Sequence, residues 1–71
     1  MAVNYAYNFA LIDSATNMCI NVVTTTNPEQ GNEPGYVEIP VYDPEYLLKY
    51  YINGSWYEDA AGTIPWTSSL L

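Results

Sequence analysis

The ten residues Lys49-Tyr50-Tyr51-Ile52-Asn53-Gly54-Ser55-Trp56-Tyr57-Glu58 limit the fold more than any other stretch of this chain. Asn-Gly suits the two central positions of a type I′ turn, both of which need positive φ, and the flanks are rich in aromatic and β-branched side chains. A loop of that length sets the register: Ile52 faces Ser55, Tyr51 faces Trp56, Tyr50 faces Tyr57 and Lys49 faces Glu58. An aromatic rung contributes ~0.2–1 kcal/mol relative to Ala–Ala, whereas a solvated Lys49–Glu58 pair contributes almost nothing. The local chemistry predicts a hairpin. Asn53-Gly54-Ser55 also spells a glycosylation sequon, but turn chemistry accounts for those letters fully.

Alternation with a period of two recurs elsewhere. Over residues 3 to 12, Val3, Tyr5, Tyr7, Phe9 and Leu11 fall on one side and Asn4, Ala6, Asn8, Ala10 and Ile12 on the other, which predicts a strand. Asp13-Ser14-Ala15-Thr16-Asn17 carries side chains that bond their own backbone. After it, Met18, Ile20 and Val22 alternate against Cys19, Asn21 and Val23 to complete a second hairpin. Residues 26 to 35 are rich in Asn, Pro, Glu, Gln and Gly, the composition of an exposed and mobile loop. Tyr36 to Tyr42 alternates once more, and Pro40, lacking an N–H, makes this an edge strand or ends its pairing. Asp43-Pro44-Glu45 is a helix start, because Asp accepts from the first free amides and Pro at the first position gives up no useful donor.

The expected fold is therefore mainly β: a small antiparallel sheet, or a sandwich of two hairpins plus an edge strand, with one short helical turn near residues 44–48. Residues 1–62 form the single small β domain and residues 63–71 a C-terminal arm. With 71 residues and a single cysteine, the chain has neither an internal disulfide nor a metal-ligand cluster to reinforce a modest core. Oligomerisation or docking on a larger body is the remaining common solution.

Charge narrows function. Lys49 is the only basic side chain, there is no Arg or His, and eight carboxylates leave the chain at −7. Binding to nucleic acid or an anionic membrane needs clustered Lys and Arg to replace counterions, so neither is expected as a partner. Acid/base chemistry near neutral pH most often uses His, and Cys19 has no basic neighbour in sequence to make it a thiolate. The expectation is a protein that is not an enzyme, with no catalytic residues, no cofactor and no metal.

Glu29 and Glu33, and Asp43 and Glu45 with Glu58 and Asp59, read as a solvated acidic surface. Their spacing is not that of a calcium loop, and a chain of this size offers no obvious cleft for paired catalytic carboxylates. Cys19, between Met18 and Ile20, reads as a small buried hydrophobe. The tyrosines divide between core packing and a binding face, since Tyr and Trp supply large rigid contact area at low entropic cost. The candidate interface is Tyr51 and Trp56 on one hairpin face, with Ile64, Trp66, Leu70 and Leu71 on the arm. A carbohydrate face remains a third reading, resting on Trp and Tyr alone. The start of the chain lacks a positive n-region, and no apolar run approaches the roughly 20 residues that span a bilayer, so synthesis in a cytoplasm without a secretion signal is expected.

The order of the motifs adds a resemblance. Tyr5-Ala6 to Ile12-Asp13, Met18-Cys19-Ile20-Asn21-Val22, Tyr36-Val37-Glu38-Ile39-Pro40-Val41-Tyr42-Asp43, and Lys49 to Asp59 together cover most of the chain. In that order the chain resembles the short proteins and appended domains encoded near tail-fibre and other virion genes of tailed bacteriophages. The resemblance implies a non-enzymatic structural or interaction protein of the particle, attached to tail, baseplate or capsid, with phage structural proteins and further copies of itself as partners. It carries no catalytic residues to transfer. The competing expectation, from the −7 charge, is a small acidic inhibitor of a host nucleic-acid enzyme, an anti-CRISPR or anti-restriction protein imitating DNA. With only 13% of residues charged, the chain is a sparse imitation.

Overall fold

A computed structural model describes residues 6–71; the beginning of the first alternating stretch, Val3 to Tyr5, lies outside the described residues. The protein is mainly β, as the alternation predicts. Strands β1 (Tyr7–Ile12), β2 (Cys19–Thr25) and β3 (Tyr36–Ile39) form an antiparallel sheet in the order β2-β1-β3. Strands β4 (Tyr50–Ile52) and β5 (Ser55–Tyr57) form a separate antiparallel hairpin. Its register is the one that Asn53-Gly54 dictates: Tyr50 with Tyr57, Tyr51 with Trp56, and Ile52 with Ser55. Asn53 and Gly54 have φ of 51° and 84°, the positive values that a type I′ turn requires. The ladder stops there. The rung drawn between Lys49 and Glu58 is absent from it; there the Lys49 carbonyl accepts from Cys19 N–H at 2.8 Å and Glu58 N–H donates to Ile64 O at 2.8 Å.

Strand β1 is central because it can be covered on both sides. Phe9 and Ala10 are adjacent in sequence yet 3% and 0% exposed. Phe9 is covered by the turn at Pro28–Asn32, a 3-10 helix that Asn27 caps by accepting from Glu29 N–H at 3.0 Å. A Cβ at Gly31 would come within 2.9 Å of Phe9 Cε1, so only glycine lets this turn lie on the ring without displacing it. The segment that reads as an exposed loop therefore contains a lid over one face of the sheet.

The other face meets the core of Ala10, Cys19, Val22, Ile39 and Tyr46, with Ile12, Val41, Trp56 and Trp66 packed against it. Strict alternation predicts Cys19 and Val22 on opposite faces of β2. The structure places both inside, because Leu11 pairs with Asn21 but Ile12 pairs with Cys19, and the register shift leaves Ile20 over as a bulge. Asn21 secures it: its Oδ1 accepts from Val22 N–H at 3.0 Å and its carbonyl accepts from the Cys19 thiol at 3.3 Å. Ile20 is turned out and is 48% exposed.

The start of β2 is stitched to the second hairpin. Leu48 N–H donates to Cys19 O at 2.9 Å, Tyr51 N–H donates to Asn17 O at 2.8 Å, and Met18 bridges Tyr50. Between the sheets, Asp43-Pro44-Glu45 starts the predicted short helical turn, a 3-10 helix at Pro44–Tyr46. Leu48, at φ 69°, is in the left-handed region, which turns the chain directly into β4.

Candidate functional site: an aromatic groove

Tyr46 is the centre of the site. The turn at Pro44–Tyr46 drives it into the core at 2% exposure, where Trp56 and Trp66 meet it edge to face, each with ring centroids 4.8 Å away. Trp56 comes from β5, and Tyr51 tilts against it across the rung at 5.0 Å. Trp66 comes from the C-terminal segment, which adds alongside β5: Tyr57 bridges Pro65, and Trp66 N–H donates to Trp56 O at 3.0 Å. The turn that brings this segment back is tied by Asp59. Its Oδ1 accepts from Thr63 N–H and Ile64 N–H, each at 2.9 Å, and its Oδ2 takes the Thr63 hydroxyl. Those bonds stabilise the ionised carboxylate and hold the Asp59 pKa below its ordinary value, the Thr63 hydroxyl contributing most.

Asp43 is the other organising group. The sequence places it on a solvated acidic surface; the structure buries it at 3% exposure. Its Oδ1 accepts from Glu45 N–H at 2.9 Å and its Oδ2 from the Ser68 hydroxyl at 2.5 Å, so one carboxylate caps the turn and anchors the C-terminal segment. Ser68 Oγ in turn accepts from Leu70 N–H at 3.1 Å. Burial pushes the Tyr46 phenol pKa up, and the nearby charge of Asp43 pushes it further in the same direction.

Between these elements runs a groove of about 380 Å³, lined by Pro40, Tyr46, Ser55, Trp56, Pro65, Trp66, Thr67, Ser68 and Leu71. Lys49 Nζ stands over the Trp66 ring, 5.1 Å from its centroid. Of the candidate interface residues, Trp56 and Trp66 form groove walls and Leu71 its rim, while Tyr51 supports Trp56 from outside the lining. Ile64, Leu70 and Leu71 are exposed at 51%, 59% and 65%, but Trp66 is partly buried against the core. The C-terminal segment thus divides into a docked part around Trp66 and Ser68 and a displayed aliphatic part. The sequence reading overlooks Ile20, Leu47 and Leu48, which are also displayed. The signal for Leu47 and Leu48 is their place after a turn too short to have an inner face for both.

The groove can stack flat apolar groups or cations on its rings. Cys19 adds no nucleophile to it, since the thiol is fully buried and desolvation pushes its pKa up despite opposing backbone bonds at Asn21 and Leu11. Among the described residues no cluster of His, Cys, Asp and Glu is arranged to hold a metal ion, and no helix is long and apolar enough to cross a membrane. Compared with known protein families, curated proteins and solved structures, the chain matches none of them.

Proposed function

We propose that this is a non-enzymatic interaction protein of a bacteriophage particle, docking on tail, baseplate or capsid through its displayed aliphatic side chains. The observation that carries the reading is Leu48. It is 65% exposed and held at φ 69°, a conformation that Gly or Asn adopts with less strain and that costs another residue of order 1–3 kcal/mol. Leu48 thus offers an aliphatic side chain to a partner from a backbone conformation that favours Gly or Asn. Leu47 beside it and Ile20, on the strand whose Cys19 carbonyl bonds Leu48, are displayed with it, and Leu70 and Leu71 are exposed on the C-terminal segment, in a chain with only a small core to bury. The phage assignment itself rests on the resemblance in motif order.

The distribution of carboxylates weighs against the DNA-imitating inhibitor. Asp43 is buried and only 13% of residues are charged, which thins an anionic surface that imitation needs dense and regular. Mass spectrometry of gradient-purified particles tests the proposal. Recovery at a fixed stoichiometry is expected, with docking to a particle protein weakened by Leu48→Ser. Absence from particles together with a stable complex with a host nuclease would establish the inhibitor instead.

A further inference from the structure

We propose that the aromatic groove is a binding site for a small organic ammonium ion of the quaternary type, a reading that is independent of the virion assignment. Trp56, Trp66, Tyr46, Pro40, Pro65 and Leu71 make most of the lining apolar, and the hydroxyls of Ser55, Thr67 and Ser68 are too few to replace the water around a small inorganic cation. A cation whose charge is spread beneath methyl groups gives up little hydration and gains the attraction of the aromatic quadrupoles. A groove of about 380 Å³ is at the lower end of the size range of small-molecule sites.

The charge behind the walls has the matching sign. Asp43 is buried, and the Ser68 hydroxyl bonded to its Oδ2 belongs to a residue that lines the groove. The one basic side chain of the sequence, Lys49, stands over Trp66 instead of neutralising this carboxylate. Low-dielectric surroundings screen the charge poorly, so the groove lies in the field of Asp43 on a chain that already carries −7. The upward push that Asp43 exerts on the Tyr46 phenol is a second sign that this field reaches the groove floor.

Lys49 shows the chemistry in operation. Its ammonium is 5.1 Å from the Trp66 centroid, yet Lys49 is not a lining residue, so it reaches that ring from outside the groove. Anions meet the opposite field. Neutral sugars find stacking surfaces and the hydroxyls of Ser55 and Thr67, but the Ser68 hydroxyl is already committed to Asp43 and Leu70 N–H, and an uncharged ligand gains nothing comparable from the field of Asp43.

The two tryptophans of the sequence, Trp56 and Trp66, both line the groove, so intrinsic fluorescence reports it directly. The experiment titrates the full chain with choline and, in parallel, with 3,3-dimethylbutan-1-ol, which has the same shape and no charge. Saturable change with choline at a dissociation constant of order 1 mM is expected, with at least about tenfold weaker response to the alcohol. Asp43→Asn keeps a capping side chain while removing the charge, and is expected to weaken choline binding several-fold at unchanged circular dichroism. Equal responses to choline and the alcohol on the unaltered chain, or no saturation with choline, would overturn the proposal whatever the variant does.

Discussion

Replacing Trp66 by alanine separates two pictures of the C-terminal segment, an arm outside the fold and a strand-like part of it. The indole packs edge to face on Tyr46 at 4.8 Å, sits against the core and carries the Lys49 ammonium over its face. Truncating a fully buried Phe or Trp costs roughly 3–5 kcal/mol, and because Trp66 is only partly buried the expected loss is about 2–3 kcal/mol. The edge-to-face pair supplies ~0.5–1.5 kcal/mol of that and the exposed cation contact ~0.5–1 kcal/mol. A chain of 71 residues has a total stability of roughly 4–10 kcal/mol, so the loss is a large fraction of it. For a domain this small each kcal/mol moves Tm by about 4–8 °C, giving a fall of about 10–20 °C in a thermal melt followed by far-UV circular dichroism. Leu70→Ser and Leu71→Ser, on exposed side chains of the same segment, are expected to stay within about 0.5 kcal/mol of the parent. If Trp66→Ala melted within about 2 °C of the parent, the segment would not be part of the fold and the groove would have no fixed wall.

Further consequences can be measured on the same melts. Ser68→Ala leaves the buried Asp43 without one of its donors and is expected to cost about 1–3 kcal/mol, while Ser68→Thr, which keeps the hydroxyl, should lose less. Leu48→Asn relieves left-handed strain at an exposed position and is expected to raise stability by about 1 kcal/mol while weakening particle docking; a lower Tm would show that the leucine packs usefully. Cys19 and Tyr46 both have pKa values raised by burial from ordinary values of 9.0 and 10.0, so the folded state resists their ionisation. Their contribution is complete below about pH 9 and is lost as pH rises through the folded values, so denaturant midpoints should fall above pH 9, less so in Cys19→Ala. Asp59 has the opposite sign: its pKa is lowered from 3.8, so its contribution is present above that value and is lost as pH falls through the folded one. A flat acid limb that Asp59→Asn leaves unchanged would show that its turn is not coupled to folding.

Much of the fold can be read from neighbouring residues because its signals are local. Asn53-Gly54 dictates a turn whose required φ values only those residue types supply cheaply, and the register of β4 and β5 follows by counting outward. Pro40 ends β3 after Ile39 for want of an N–H, and Asp43-Pro44 starts the short turn because capping acts within two or three residues. Tertiary structure decided what depends on segments far apart in the chain. The bulge at Ile20 places Cys19 and Val22 on one face, an arrangement that alternation within β2 alone contradicts and that pairing with β1 establishes. The bond between Asp43 and Ser68 spans 25 residues and turns an expected surface carboxylate into a buried anchor. Gly31 lies on Phe9, and Tyr46 is gripped between two indoles, because those contacts were the available ways to remove large rings from water. Burial is non-directional and carries no sequence spacing, so a chain shows which rings need covering but only the assembled fold shows what covers them.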